Sequence, residues 1–197
     1  MDFWGWFQDN EAMLSGMAAA LVILGALATV GRNFLLRILG FSYGHKTLSL
    51  TELSSPSPFP IKFAQSEGVN IAYNVQGKGQ HTLLVSPGII SNLHVSSNLP
   101  PIKNTMESLA KFSRVINFDK RGQGLSDPVS KVATISERVR DIESVANASD
   151  SEQFHLMGIS EGGPMSVQFA VENPDRVRGL ILFGTTPRFS RSEDYAI

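Results

Sequence analysis

Ser160 sits in the pentapeptide Gly158-Ile159-Ser160-Glu161-Gly162, between an apolar run, Phe154 to Met157, and a stretch of helical character, Gly163 to Pro174. A serine on a sharp turn from a buried strand into a helix carries its hydroxyl above the sheet, open to a substrate. Small residues at 158 and 162 let strand and helix pass closely. The amides that open the helix face the same point, so charge developing on a substrate oxygen would meet oriented N–H donors. One donor would be the backbone N–H of Glu161. The second would be the N–H of Ile89, in the loop after Thr82 to Gly88, where Gly88 keeps that loop close. The chemistry is nucleophilic attack on a carbonyl. The plainer reading is a glycine-rich turn, but the strand before, the helix after and Pro87-Gly88 at another strand end favour the nucleophile.

Such a serine needs a base to take its proton and an acid to orient that base. The four histidines are His45, His81, His94 and His155, and none follows Ser160. His45 belongs to a membrane-proximal segment, and His81 precedes a strand, at the wrong end of a sheet. His155 lies inside the strand before the serine, where a packed imidazole is expected. His94, after the Ile89 loop, is the one histidine placed to approach the site as a substitute base. Glu172, Asp175, Glu193 and Asp194 follow the serine, none at the carboxyl end of a strand.

The elements that would hold this site can be read from periodicity. Ile61 to Gly77 alternates apolar and polar residues on either side of Glu67-Gly68, a hairpin pattern. Thr82 to Gly88, Arg114 to Asp119, Phe154 to Gly158 and Val177 to Gly184 are apolar runs of strand length. Between them, Thr105 to Phe112 and Gly163 to Pro174 have helical spacing, and Ile135 to Ala148 puts Ile135, Val139, Ile142 and Val145 on one helical face. This alternation predicts an α/β fold: a mostly parallel sheet with helices on both faces and an antiparallel hairpin leading in. Ligands in such sheets bind beyond the carboxyl ends of the strands, where Ser86-Pro87-Gly88, Asp119 to Gly122 and Ser160 all fall.

The stretch from about Phe63 to Phe189 resembles the N-terminal half of an α/β-hydrolase. "FDKRGQGLSD" (Phe118 to Asp127) is similar to that family's D-x-R-G-x-G-x-S segment, and "GISEGGPM" to its nucleophile elbow. "ENPDRVRGLILFGT" resembles the helix–strand unit that follows. The wording is closest to hydrolase-like domains found beside class III adenylate cyclases in bacterial proteins. The resemblance implies structural roles for Gly88, Gly158 and Gly162, and for Asp119 and Arg121, which would hold the loop beside the elbow. Pro87 stands where many members carry histidine. The family's chain order is serine, acid, histidine, so two strands, a lid, an acid and a histidine would come after the last residue, Ile197. The chain therefore reads as the front of a longer protein rather than as an unfinished product.

The first sixty residues are of another kind. Residues 13–31 carry no charge and, as a helix, would span roughly 27 to 29 Å, close to a bilayer core of about 30 Å. Trp4, Trp6 and Phe7 precede the run, with Asp2, Asp9 and Glu11, while Arg32, Arg37 and Lys46 follow it. The expected arrangement is a short outer N-terminus (1–12), a membrane helix (13–31), a juxtamembrane segment and Ser/Pro-rich linker (32–60), and a cytoplasmic domain (61–197). A signal peptide cleaved near Ala26-Leu27-Ala28 and a buried core helix are the competing readings. Gly16 and Ala20 offer small-xxx-small spacing for a homodimer, a spacing also common by chance.

A net charge of −1 without basic clusters gives no case for nucleic acid, and the absence of cysteine excludes disulfides and thiolate metal sites. No metal, phosphate loop or organic cofactor is expected. Gly122-Gln123-Gly124 lacks the third glycine of a dinucleotide fingerprint. Three functions compete: a serine hydrolase of an ester or related small molecule, completed by a downstream Asp and His; a non-catalytic sensing or regulatory domain, as of an adenylate cyclase; and a membrane segment with a vestigial domain.

Overall fold

A computed structural model describes residues 55–187. The membrane-helix reading of 13–31 and its flanks, and Glu193 and Asp194, lie outside the described residues. No helix among the described residues is long and apolar enough to cross a membrane.

Among the described residues, six strands and four helices follow one another: β1 (Lys62–Ser66), β2 (Val69–Gln76), β3 (His81–Ser86), α1 (Leu93–Asn98), α2 (Pro100–Ala110), β4 (Ser113–Phe118), α3 (Ile135–Ala148), β5 (Phe154–Ile159), α4 (Gly162–Glu172) and β6 (Val177–Phe183). They form one sheet in the order β1-β2-β4-β3-β5-β6. β1 and β2 are antiparallel, as are β2 and β4, while β4, β3, β5 and β6 run parallel. The expected lead-in hairpin and parallel sheet are both present. The hairpin closes with Ser66 opposite Val69, and Glu67 and Gly68 at φ of 51° and 82°. Two positive φ values in a two-residue loop make the turn whose twist matches the strands.

One face of the sheet carries the main core. Ile71, Leu84, Ile116 and Leu156 meet Val139, Ile142 and Val145 of α3 and Met165 and Phe169 of α4. Thr134 caps α3: its hydroxyl accepts from the Glu137 N–H at 3.2 Å, and the Glu137 carboxylate accepts the Thr134 N–H at 2.7 Å. This capping box fixes where α3 begins. Ile135, read as part of the apolar face, is exposed, because it occupies the first helical turn.

The other face is thinner. Leu83, Val85 and Val115 pack against Met106, Leu109 and Ala110 of α2, and α2 has no fully buried residue. Sequence periodicity missed α1 and started α2 too late. Asn92 caps α1, its side chain accepting the Val95 N–H at 3.0 Å, and Pro100 opens α2. The last residues of the linker already touch this face. Asn98 Nδ2 donates to the Ser55 carbonyl at 2.8 Å, and the Ser57 and Ser97 hydroxyls lie 3.1 Å apart. β6 forms one sheet edge, and its Leu180, Ile181, Leu182 and Phe183 are exposed.

Phe169 is fully buried between α4 and the sheet. Phe169→Ala should lower unfolding stability by about 3–5 kcal/mol, read from the urea denaturation midpoint.

Candidate active site

Ser160 lies where β5 ends and α4 begins, and its φ is 51°. A serine in this left-handed region costs about 1–3 kcal/mol, which its surroundings must offset. Its N–H donates to the Phe183 carbonyl at 3.0 Å, and its own carbonyl accepts from the Gly163 N–H at 3.0 Å and the Thr185 hydroxyl at 2.5 Å. The backbone is thus held on both sides while the side chain stays exposed.

Glycine makes that crossing feasible. A Cβ on Gly162 would run into the carbonyl oxygen of Ser86 and lie 2.7 Å from that of Pro87. One on Gly158 would lie 2.8 Å from Ser166 Oγ and 2.9 Å from the Gly162 carbonyl oxygen. The close approach read into positions 158 and 162 is real, and at 162 it is to the end of β3. Gly88 completes the contact, since a Cβ there would stand 3.3 Å from Ser160 Cβ. The loop that follows β3 therefore lies against the serine. The N–H groups of Ile89 and Glu161 take part in no backbone hydrogen bond among the described residues.

Lys120 joins these loops. It is 2% exposed, and its ammonium donates to the Ile89 carbonyl at 3.0 Å and the Glu161 carboxylate at 2.5 Å. Arg138 Nη1 donates to the other Glu161 oxygen at 2.6 Å. Gln123 Nε2 also donates to the Ile89 carbonyl, at 2.9 Å, while Gln123 Oε1 accepts the Ser91 N–H at 2.8 Å. The Lys120 N–H donates to Ser91 Oγ at 2.9 Å. Two side chains from the loop after β4 thus clamp the Ile89 loop, and one of them also holds the residue after Ser160. Burial pulls the Lys120 ammonium below its ordinary pKa, opposed by Glu161. Burial pushes Glu161 upward, but hydrogen bonds from Lys120 and Arg138 prevail and hold its carboxyl below the usual glutamate range.

Asp119 and Arg121 play different parts. Asp119 is fully buried, and its Oδ2 accepts the N–H groups of Leu125 at 2.8 Å and Leu93 at 3.2 Å, tying the β4 loop to the start of α1. Burial raises its pKa, partly opposed by those two backbone bonds. Arg121 donates to Asp141 at 2.6 and 2.8 Å, to Ser66 at 3.1 Å and to the Glu137 carbonyl at 3.3 Å. It ties the loop after β4 to α3 and β1, while Lys120 of the same loop reaches Glu161.

Two of the histidines lie away from Ser160. His81 and His155 face each other edge-on, ring centroids 5.9 Å apart, near the amino end of the strands. His155 is five residues before Ser160 along β5, roughly 16 Å in an extended strand. His94 lies in α1, close enough to Asp119 to favour its ionised form. Glu172 ends α4, and Asp175 precedes β6, at the opposite end of the strands from Ser160.

The sequence pattern of the alpha/beta hydrolase fold matches residues 81–196, more than half of the chain. The chain belongs to the α/β-hydrolase family. Among curated relatives, a 2-hydroxy-6-oxononadienedioate/2-hydroxy-6-oxononatrienedioate hydrolase from Paraburkholderia xenovorans is 33% identical over 141 residues, covering 69% of this chain and 46% of that protein. A protein of the same name from Cupriavidus pinatubonensis is 31% identical over the same shares. A solved hydrolase from Pseudomonas aeruginosa aligns at a TM-score of 0.59 with 26% identity, covering 66% of this chain and 48% of that one. An enol-lactonase from Burkholderia xenovorans, at 23% identity and a TM-score of 0.57, shares the fold. The chain spans less than half the length of the curated relatives it matches.

Sequence reasoning placed Lys120 at a strand's carboxyl end but gave it no role, and it missed Gln123 and Arg138, because hydrophilic residues in a turn and on a helix read as solvated. The usable signal was a lysine flanked by an aspartate and an arginine directly at the end of an apolar strand. Glu161→Gln should lower stability at neutral pH by about 3 kcal/mol, since it leaves the Lys120 charge buried without its carboxylate. Because the folded-state pKa of Glu161 is depressed, its contribution is present above the ordinary glutamate range and is lost as pH falls through the folded value. The gap between wild type and variant, read from denaturation midpoints, should therefore narrow on acidification through that window.

Proposed function

We propose that Ser160 is the nucleophile of a hydrolase acting on an ester or related small carbonyl compound. The observation that carries this reading is an exposed serine hydroxyl on a left-handed turn, at the start of α4 and against Gly88. Ser160 Oγ attacks the substrate carbonyl carbon as its proton passes to a base. The negative oxygen meets the N–H groups of Glu161 and Ile89, the tetrahedral adduct expels the leaving group with that proton, and water cleaves the acyl-enzyme. In the family order the base is a histidine and its orienting acid an aspartate, both downstream of the serine, and no histidine follows Ser160 within these 197 residues. The names of the curated relatives support a substrate with a ketone or similar activated carbonyl.

A fluorophosphonate probe should label the protein in its native form and leave Ser160→Ala unlabelled. Equal labelling of the two would overturn the assignment.

A second reading, a ligand-sensing hydrolase-like domain such as accompanies adenylate cyclases, is favoured by one observation: neither His81 nor His155 stands near Ser160. On that reading Ser160 takes no label, yet small ligands shift the unfolding temperature. We further propose that residues 13–31 anchor the protein in a bilayer with the hydrolase domain on the cytoplasmic side. The protein should then stay in the membrane fraction through an alkaline carbonate wash, and release into the wash would count against an anchor.

A further inference from the structure

A cavity of about 520 Å³ runs from Ser160 between the sheet and helices α1 and α2. Its walls are mostly apolar: Phe59, Val85, Leu93, Ile102, Met106 and Ile159. Beside it, α2 packs on the sheet through Met106, Leu109 and Ala110, against Leu83, Val85 and Val115 of β3 and β4. Beyond them, the β2 and β4 part of this face is polar, which no packing argument for a core predicts.

The polar residues are Asn74 and Asn117, which face each other in register across β2 and β4 and both line the cavity. Asn74 is fully buried, and its Oδ1 receives one long bond from Gln76 Nε2 at 3.4 Å. The Nδ2 groups of both asparagines are buried without an acceptor. A buried unmet donor costs about 1–3 kcal/mol, so two on one wall are a large outlay for a structural role. The terminal amide torsion of asparagine is soft. Either amide can therefore turn its N–H toward an oxygen that enters the cavity.

Charge decides which oxygen fits. Oδ1 of Asp119 lies in the same wall, buried and without a hydrogen-bond partner. Lys120 is committed to Glu161, and Lys103, the lysine that lines the cavity, is half-exposed beside Glu107 at 3.9 Å. A carboxylate would meet the Asp119 carboxyl, and neither lysine is free to balance it. A neutral carbonyl oxygen suits the amide donors. Register sets the reach: Asn117 aligns with Val85, and Val85 with Met157. Ser160 is two strands across and three residues further on, on the order of 14 Å from Asn117.

We propose that this cavity is a substrate subsite for a medium-length acyl chain that carries a neutral carbonyl oxygen near its far end, bound by Asn74 and Asn117 while its reactive carbonyl sits at Ser160. The inference rests on the reading of Ser160 as nucleophile, and it can be tested apart from turnover. In the full chain carrying Ser160→Ala, binding of methyl 8-oxononanoate, methyl nonanoate and monomethyl azelate is measured by titration calorimetry. The keto ester should bind roughly 5- to 10-fold more tightly than the plain ester, the worth of one net hydrogen bond. Asn117→Leu and Asn74→Leu should each reduce that preference without weakening the plain ester. Equal affinity for the two esters, preference for the carboxylate of monomethyl azelate, or a keto preference untouched by both substitutions would overturn the subsite. Fluorophosphonate labelling separates the two ideas. Labelled Ser160 with no keto preference sinks the subsite alone, and keto binding with unlabelled Ser160 sinks the nucleophile alone.

Discussion

A buried ammonium must be paired, and at Lys120 the pairing organises the site. The charge sits out of water at the carboxyl end of β4, and its partners are a carbonyl from the loop after β3 and a carboxylate from the residue after Ser160. Removing either partner would leave a desolvated charge, so the three loops are held as one unit. Arg138, from α3, shares the Glu161 carboxylate and extends the unit into the helical layer over the main core. The positions of the Ile89 and Glu161 amides follow from this network, because Lys120 and Gln123 grip the Ile89 carbonyl and Lys120 and Arg138 grip the Glu161 side chain.

The strained turn depends on the same rigidity. A serine with φ of 51° persists only if its neighbours over-determine it. Here the backbone of Ser160 is bonded to Phe183, Gly163 and Thr185, and Gly162 presses against the end of β3. The parallel sheet makes this feasible, since β3, β4 and β5 all end on one side. Their three loops must then meet above that edge. The two sheet faces differ in consequence. The α3–α4 face is filled by large side chains and supplies stability, while the α2 face is thinly covered and leaves room beside Ser160.

Much of this was legible in the sequence, for a local reason. Alternation around Glu67-Gly68, apolar runs of strand length and the spacing of Val139, Ile142 and Val145 each report a nearest-neighbour geometry, period two or period 3.6, that tertiary packing did not override. Ser160 with its flanking glycines was legible too, because steric limits on a tight strand-to-helix crossing admit few residue types. Where reading failed, a local rule met a competing one. Capping by Asn92 made a short helix where periodicity is too brief to register, and Ile135 fell in a helical turn that lies beyond the core.

By itself, then, the sequence determined the α/β class, the hairpin, the order of the strands and of the longer helices, and the serine at a strand's end, all of which rest on interactions between residues close in the chain. Only the tertiary structure decided that Lys120 rather than Arg121 grips the elbow, that His155 faces His81 and not Ser160, and that Asn74 and Asn117 share one buried wall. Those facts depend on which strands become neighbours and which face of each is turned inward. Residues tens of positions apart meet there, and no spacing along the chain records it.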